Sequence, residues 1–121
     1  MKYWAFVTIF TGFSRPPKWN CFWFEAHDYL FMDIENVEFG TSNFSGDWTF
    51  HLPKEPIEDR KILVTALNNG ILQMGIMTIT TSKMDATVSI YPDHRNAFKT
   101  QWVSSGMKGI ASLTFRYKTQ K

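Results

Sequence analysis

The sequence predicts an all-β fold, an antiparallel β-sandwich built by residues 1–121 as a single domain. Three observations predict it. Aromatic residues make up 17% of the chain, with eleven Phe and five Trp, and large flat side chains suit pleated, half-buried surfaces. Short extended runs alternate with turn signals, the pattern of sandwiches and barrels. No segment carries the apolar stripe of a helix of normal length.

The elements follow in order. Tyr3 to Phe10 is apolar on both alternating faces, which predicts one strand covered on both sides or lying along an edge. Arg15-Pro16-Pro17-Lys18 ends it, because two prolines remove two backbone donors. Trp19 to Phe24 is extended again, and Glu25-Ala26-His27-Asp28 reads as a turn before Tyr29 to Met32. Gly40 to Gly46 reads as a polar loop ahead of a Trp48-Thr49-Phe50 strand. Pro56 to Leu63 has acidic residues that suit a helix start, but loop followed by strand fits better. Ile62 to Leu67 is a strand that ends at Asn68-Asn69-Gly70, where Asn and Gly tolerate positive φ. Ile71 to Thr81 and Ala86 to Tyr91 follow, the latter with half-buried alternation. Ile110 to Tyr117 closes the chain as one alternating strand, with Leu113, Phe115 and Tyr117 on one face.

Composition narrows the function. Apolar types form 44% of the 121 residues and charged types 20%, so the chain has material for a core. The net charge is only +2 and no basic stripe is present, so nucleic acid is not expected as a partner. Cys21 is the one cysteine; no intrachain disulfide forms, and a buried, inert thiol is expected. The first ten residues are a poor signal peptide and no run is long enough to span a bilayer. Synthesis in the cytoplasm without a signal peptide is expected, which fits a reducing cytosol or a protein released without an oxidative folding step.

No chemistry is marked. His27, His51 and His94 match no metal-ligand spacing. No Gly-x-Ser-x-Gly elbow marks a nucleophile and no phosphate loop is present. Catalytic residues, metal and cofactor are therefore not expected, and the chain reads as a binding protein rather than an enzyme. Asn43-Phe44-Ser45 reads as a chance sequon, since no leader is expected.

Two ring clusters are the candidate binding residues. In Trp19-Asn20-Cys21-Phe22-Trp23-Phe24, strand geometry sends Phe22 and Phe24 to one face and Trp19, Cys21 and Trp23 to the other. If one face of that sheet is open, the indoles of Trp19 and Trp23 are expected to meet solvent beside Arg15 and Lys18. The second cluster is a polar loop, Pro92 to Gln101, flanked by Tyr91 and Trp102 and holding Asp93 and His94.

At this second cluster the sequence resembles the aegerolysin family. The run Ala86-Thr87-Val88-Ser89-Ile90-Tyr91-Pro92-Asp93 followed by Trp102 is similar to the family's strand ending in Tyr-x-Asp, its loop and its later aromatic. Gly46-Asp47-Trp48, the proline loop, Ile62 to Ala66 and Asn69-Gly70 before a strand are similar in order and spacing. The segment from Ser105-Gly106 to Tyr117 looks like the closing strands of aegerolysins and of wider actinoporin-like sandwiches. The likeness covers roughly residues 40–121. It departs where family members often carry Cys-Pro-Trp-Gly, since His94-Arg95-Asn96 stand there, and in being slightly basic where many members are acidic.

The resemblance implies an aegerolysin- or actinoporin-like sandwich that binds a membrane lipid or membrane receptor. Such a protein works beside a larger pore-forming partner, as the small component of a two-component insecticidal toxin. Trp19, Phe22 and Trp23, or the Tyr91 to Trp102 loop, would then meet the lipid interface. Two other readings fit the same residues. A lectin would stack Tyr91 or Trp102 on a sugar while Asp93, Asn96 and His94 bond its hydroxyls. A protein-binding inhibitor or immunity protein needs only a small, stable surface. An uncovered edge strand also favours pairing with a second copy, so a homo-oligomer belongs among the expectations.

Overall fold

The computed structural model describes residues 2–91 and 101–121. Among them there are eleven strands and no helix: β1 Trp4–Phe6, β2 Phe10–Thr11, β3 Lys18–Ala26, β4 Tyr29–Glu38, β5 Gly40–Thr41, β6 Trp48–His51, β7 Arg60–Asn68, β8 Ile71–Ile79, β9 Asp85–Ile90, β10 Met107–Ile110 and β11 Leu113–Lys118. They form a four-stranded sheet in the order β1-β3-β4-β11 and a seven-stranded sheet in the order β2-β6-β9-β8-β7-β10-β5. All pairings are antiparallel.

Two tight hairpins set the register. Ala26 pairs with Tyr29 and Asn68 with Ile71, leaving two-residue loops. His27 and Asp28 have φ of 52° and 72°, and Asn69 and Gly70 have 50° and 89°. Positive φ at both central residues matches the right-handed strand twist, as in a type I′ turn. Because the side-chain period is two, each turn also fixes which face of its strands looks inward.

Four connections cross between the sheets, and three of them correct an expected element. Tyr3 to Phe10 is not one strand: β1 belongs to the small sheet and β2 to the large one, with Val7 and Ile9 exposed at the crossing. The Gly40 to Gly46 segment begins with a strand, β5, which pairs with β10 at the sheet edge. A Cβ at Gly40 would stand 2.5 Å from the Arg15 carbonyl oxygen, so only glycine fits that corner. Ile110 to Tyr117 breaks at Ala111-Ser112, with β10 in the large sheet and β11 in the small one. Ile110 and Phe115 are both buried although five residues apart, which one unbroken strand of period two would place on opposite faces, so the phase slips at this break.

One core lies between the sheets. Cys21, Leu30, Met32, Ile34, Phe115 and Tyr117 enter from the small sheet, while Trp48, Phe50, Val64, Ala66, Met77, Ile79, Val88 and Ile90 enter from the large one. Rings join the layers where the Trp19 ring stands 5.1 Å from Phe50, and on the large-sheet side Trp48 lies 5.9 Å from Trp102, centre to centre. Edge and tilted arrangements at these distances favour the ring quadrupoles as well as burying area.

Candidate functional site

The outer face of the four-stranded sheet is the candidate site. The inner positions of β3 are Trp19, Cys21 and Trp23, so Asn20, Phe22 and Phe24 point away from the core. On β4 the same alternation places Leu30, Met32 and Ile34 inside and Tyr29, Phe31, Asp33 and Glu35 outside. Register then builds the surface. Phe24 pairs with Phe31 and Phe31 with Arg116, while Phe22 pairs with Asp33 and Asp33 with Thr114.

The Phe24 and Phe31 rings stack at 5.0 Å with their planes 6° apart. Tyr3, preceding β1, meets Phe24 edge-on at 4.9 Å and Phe22 at 6.4 Å. The Arg116 guanidinium carbon lies 4.7 Å from the centre of the Tyr29 ring, close enough for a cation–π attraction. Phe22 is 40% exposed and Tyr3 53%. Five rings and an arginine thus make a continuous stripe across three strands, reached by Tyr3 from the edge.

The far end of this face is polar. A depression of about 340 Å³ is lined by Asn20, Phe22, Asp33, Glu35, Ser112 and Thr114, among others. The Thr114 hydroxyl donates to the Asp33 carboxylate at 2.7 Å, and the Ser112 hydroxyl accepts the Asn36 N–H at 2.8 Å. The face therefore grades from rings beside a cation to hydroxyls beside carboxylates.

The residues that the sequence singled out fall in different places. Phe22 stands on the outer face. The indoles expected there do not: Trp19 packs edge-on against Phe10 at 4.7 Å, and Trp23 lies 4.7 Å from Trp4 on the inward side. The phase is set by Cys21, buried between them, so the indoles follow it inward and the phenyl rings outward. Trp23 keeps a partly open edge, where the Lys54 ammonium stands 5.8 Å from its ring. Trp102 is a core residue, 1% exposed, and its indole N–H donates to the Val88 carbonyl at 3.1 Å. It has no ring face left for a lipid or sugar. Tyr91 is exposed, but on the opposite face of the sandwich, where its N–H bonds the Met74 carbonyl at 3.0 Å. Asp93 and His94 lie outside the described residues, as does Asn96.

Tyr3, Phe24, Tyr29, Phe31 and Arg116 were missed by sequence reasoning. A signal for two of them was present, since Tyr29 and Phe31 alternate with Leu30 and Met32 directly after the hairpin turn.

Other polar groups serve structure. Burial raises the Cys21 thiol pKa, with Thr8 Oγ1 3.5 Å from its sulfur. Burial also lowers the Lys108 pKa; its ammonium donates to the Phe44 carbonyl. His51 Nδ1 lies 3.1 Å from Asp85 Oδ1 in an exposed pair across β6 and β9. Among the described residues no three His, Cys, Asp or Glu side chains converge on a point that would hold a metal, and no helix is long and apolar enough to cross a membrane.

Comparison with known proteins leaves this surface to be judged on its own chemistry: no protein-family model, no curated sequence and no solved structure matches the chain.

Proposed function

We propose that the chain is a non-enzymatic binding module that meets the headgroup zone of a membrane with the outer ring face of its four-stranded sheet. The observation that carries this reading is the uncovered stripe of Tyr3, Phe22, Phe24, Tyr29 and Phe31. Tyrosine suits an interface because its body is apolar and its hydroxyl stays wet, and phenyl rings add buried area beneath it. Arg116 and Lys118, both outward on β11 beside Tyr29, supply cations for lipid phosphates. The aegerolysin resemblance agrees with this role and adds a larger pore-forming partner, with this chain as the small component that selects the membrane. Co-sedimentation with vesicles of phosphatidylcholine, sphingomyelin and sterol tests it. The chain should pellet with them, and Tyr3→Ser or Phe22→Ser should lower the bound fraction several-fold while the fold is retained. A wild-type chain that stays in the supernatant with every such mixture overturns the reading.

A second reading draws on the polar end of the same face. The Phe22 ring borders Asn20, Asp33, Glu35, Ser112 and Thr114, and a ring beside carboxylates and hydroxyls is the chemistry that holds a sugar. Binding that free monosaccharides compete away, and that Asp33→Asn weakens while leaving vesicle binding intact, would favour it.

A further inference from the structure

The large sheet also leaves a face uncovered, and its chemistry differs from that of the ring stripe. Outward positions on β7, β8 and the end of β9 are Leu63, Leu67, Leu72, Met74, Ile76 and Tyr91. Leu63 is 61% exposed, Leu72 59% and Met74 49%. Register joins them into rows: Leu63 opposite Ile76, Thr65 opposite Met74, Leu67 opposite Leu72. From the Leu63 row to the Leu72 row these outward strand positions carry no charged side chain. Soluble chains seldom leave so many aliphatic side chains together in water without an occupant.

We infer that this face is a self-association surface, on which two copies pack their large sheets together about a two-fold axis. Four features favour a second copy. The first is shape, because sheet faces pack on each other at about 10 Å with interleaved side chains. A depression of about 330 Å³ between Leu63, Thr65, Leu72 and Met74 offers a seat for an opposing flexible side chain such as Met74. The second is area. Five central strands spaced about 4.8 Å apart, with lengths set by roughly 3.3 Å per residue, give a whole outer face of roughly 500–700 Å², with the aliphatic rows at its centre. That approaches the ~800 Å² per partner of an ordinary specific interface. The third is charge. Lys61 is outward on β7, one row below Leu63, and the Asp47 carboxylate sits over β9, where it accepts from the Ser89 hydroxyl at 2.9 Å. A two-fold axis along β8 exchanges the β7 and β9 sides, so Lys61 of each copy falls over the side that holds Asp47 of the other. The fourth is composition: between the Leu63 row and the Leu72 row the outward strand positions are mostly aliphatic and hold no cation, unlike the ring face opposite.

Pairing of this kind has a consequence that rests on the proposed membrane role. The two sheets of one sandwich face opposite ways, so a dimer joined through its large sheets presents two ring faces on opposite outer sides. Such a dimer bridges two membranes rather than gripping one.

Sedimentation equilibrium of the full chain without lipid, at 10–300 μM as the order of magnitude where an interface of this size associates, tests the pairing alone. The expected mass approaches twice the 14.1 kDa of the chain. Met74→Lys and Leu72→Lys, both at exposed positions, should each weaken association by roughly a hundredfold, because a charge would be stranded at the interface centre. A far-UV spectrum unchanged from wild type certifies each variant, and Leu63→Lys replaces any that fails. A wild-type monomer over the whole range overturns the inference. So does a dimer that survives all three lysine variants, or one dissolved by Phe22→Ser instead. Turbidity of mixed vesicles is the second arm: wild type should clump them while Met74→Lys binds without clumping. If Met74→Lys abolishes vesicle binding itself, the face meets lipid and the inference fails. If the dimer forms but no vesicle is bound, the membrane role fails and the pairing stands.

Discussion

Single residues divide into those that hold the sandwich and those that face outward, and the two groups respond differently to substitution. Trp102 is anchored in the core, helped by Asn68, whose side chain donates to the Gln101 carbonyl at 3.0 Å and accepts the Val103 N–H at 2.8 Å. Trp102→Ala should cost about 3–5 kcal/mol, the range for emptying a buried aromatic site, measured by urea unfolding. Tyr117 is tied across the layers, its hydroxyl donating to the Lys54 carbonyl at 2.7 Å and accepting the Lys54 N–H at 3.2 Å. Burial holds its pKa well above the ordinary value of 10, the Lys54 bond opposing that shift in part. The folded state thus keeps a proton that the unfolded chain gives up near pH 10. The stabilisation is complete below pH 10 and is lost as pH rises above it. Lys108 runs the other way: its lowered pKa makes the folded state release a proton first, so its contribution improves as pH climbs toward 10.5. Tyr117→Phe should lower neutral-pH stability by about 1–2 kcal/mol and flatten the alkaline decline, whereas Lys108→Met should make that decline steeper.

At the scale of elements, the hairpins are where sequence spoke most clearly. Asn69-Gly70 declares its turn through residue types that accept positive φ, and the His27-Asp28 turn lies where a break in the apolar pattern placed it. His27 and Asp28 hold that geometry without a glycine, at a cost of about 1 kcal/mol for a left-handed non-glycine residue. Asp28→Gly should therefore raise stability by about 0.5–1 kcal/mol, seen as a higher urea midpoint with unchanged slope. The crossings were less legible. Val7 to Ile9 contains no proline or glycine, and Phe6 and Phe10, four apart, keep one phase across it; at Ala111-Ser112 the one signal was the odd spacing from Ile110 to Leu113 and Phe115, which one strand would send to opposite faces. The face of β3 was equally ambiguous, since both of its faces carry rings. Only pairing with β4, whose Leu30, Met32 and Ile34 must be buried, sends Trp19 and Trp23 inward and Phe22 and Phe24 outward. The candidate surface was thus present in the composition but could not be assigned before the sheet was assembled.

The whole molecule has two unlike outer faces on one core. The small sheet offers rings, an arginine and a polar groove, and the large sheet offers aliphatic side chains in uncharged rows. Chemistry so divided suits two occupants, an interface of mixed polarity for the first and a matching aliphatic sheet for the second. Hydroxyl-radical labelling read residue by residue, with and without phosphatidylcholine–sphingomyelin–sterol vesicles, separates the faces directly. Labelling of Tyr3 and Phe22 should fall several-fold when vesicles are added, while Tyr91 and Met74 stay as they were. Protection confined to Tyr91 and Met74, or unaltered labelling at Tyr3 and Phe22 in a chain that has bound the vesicles, would contradict the assignment of the ring face to the membrane.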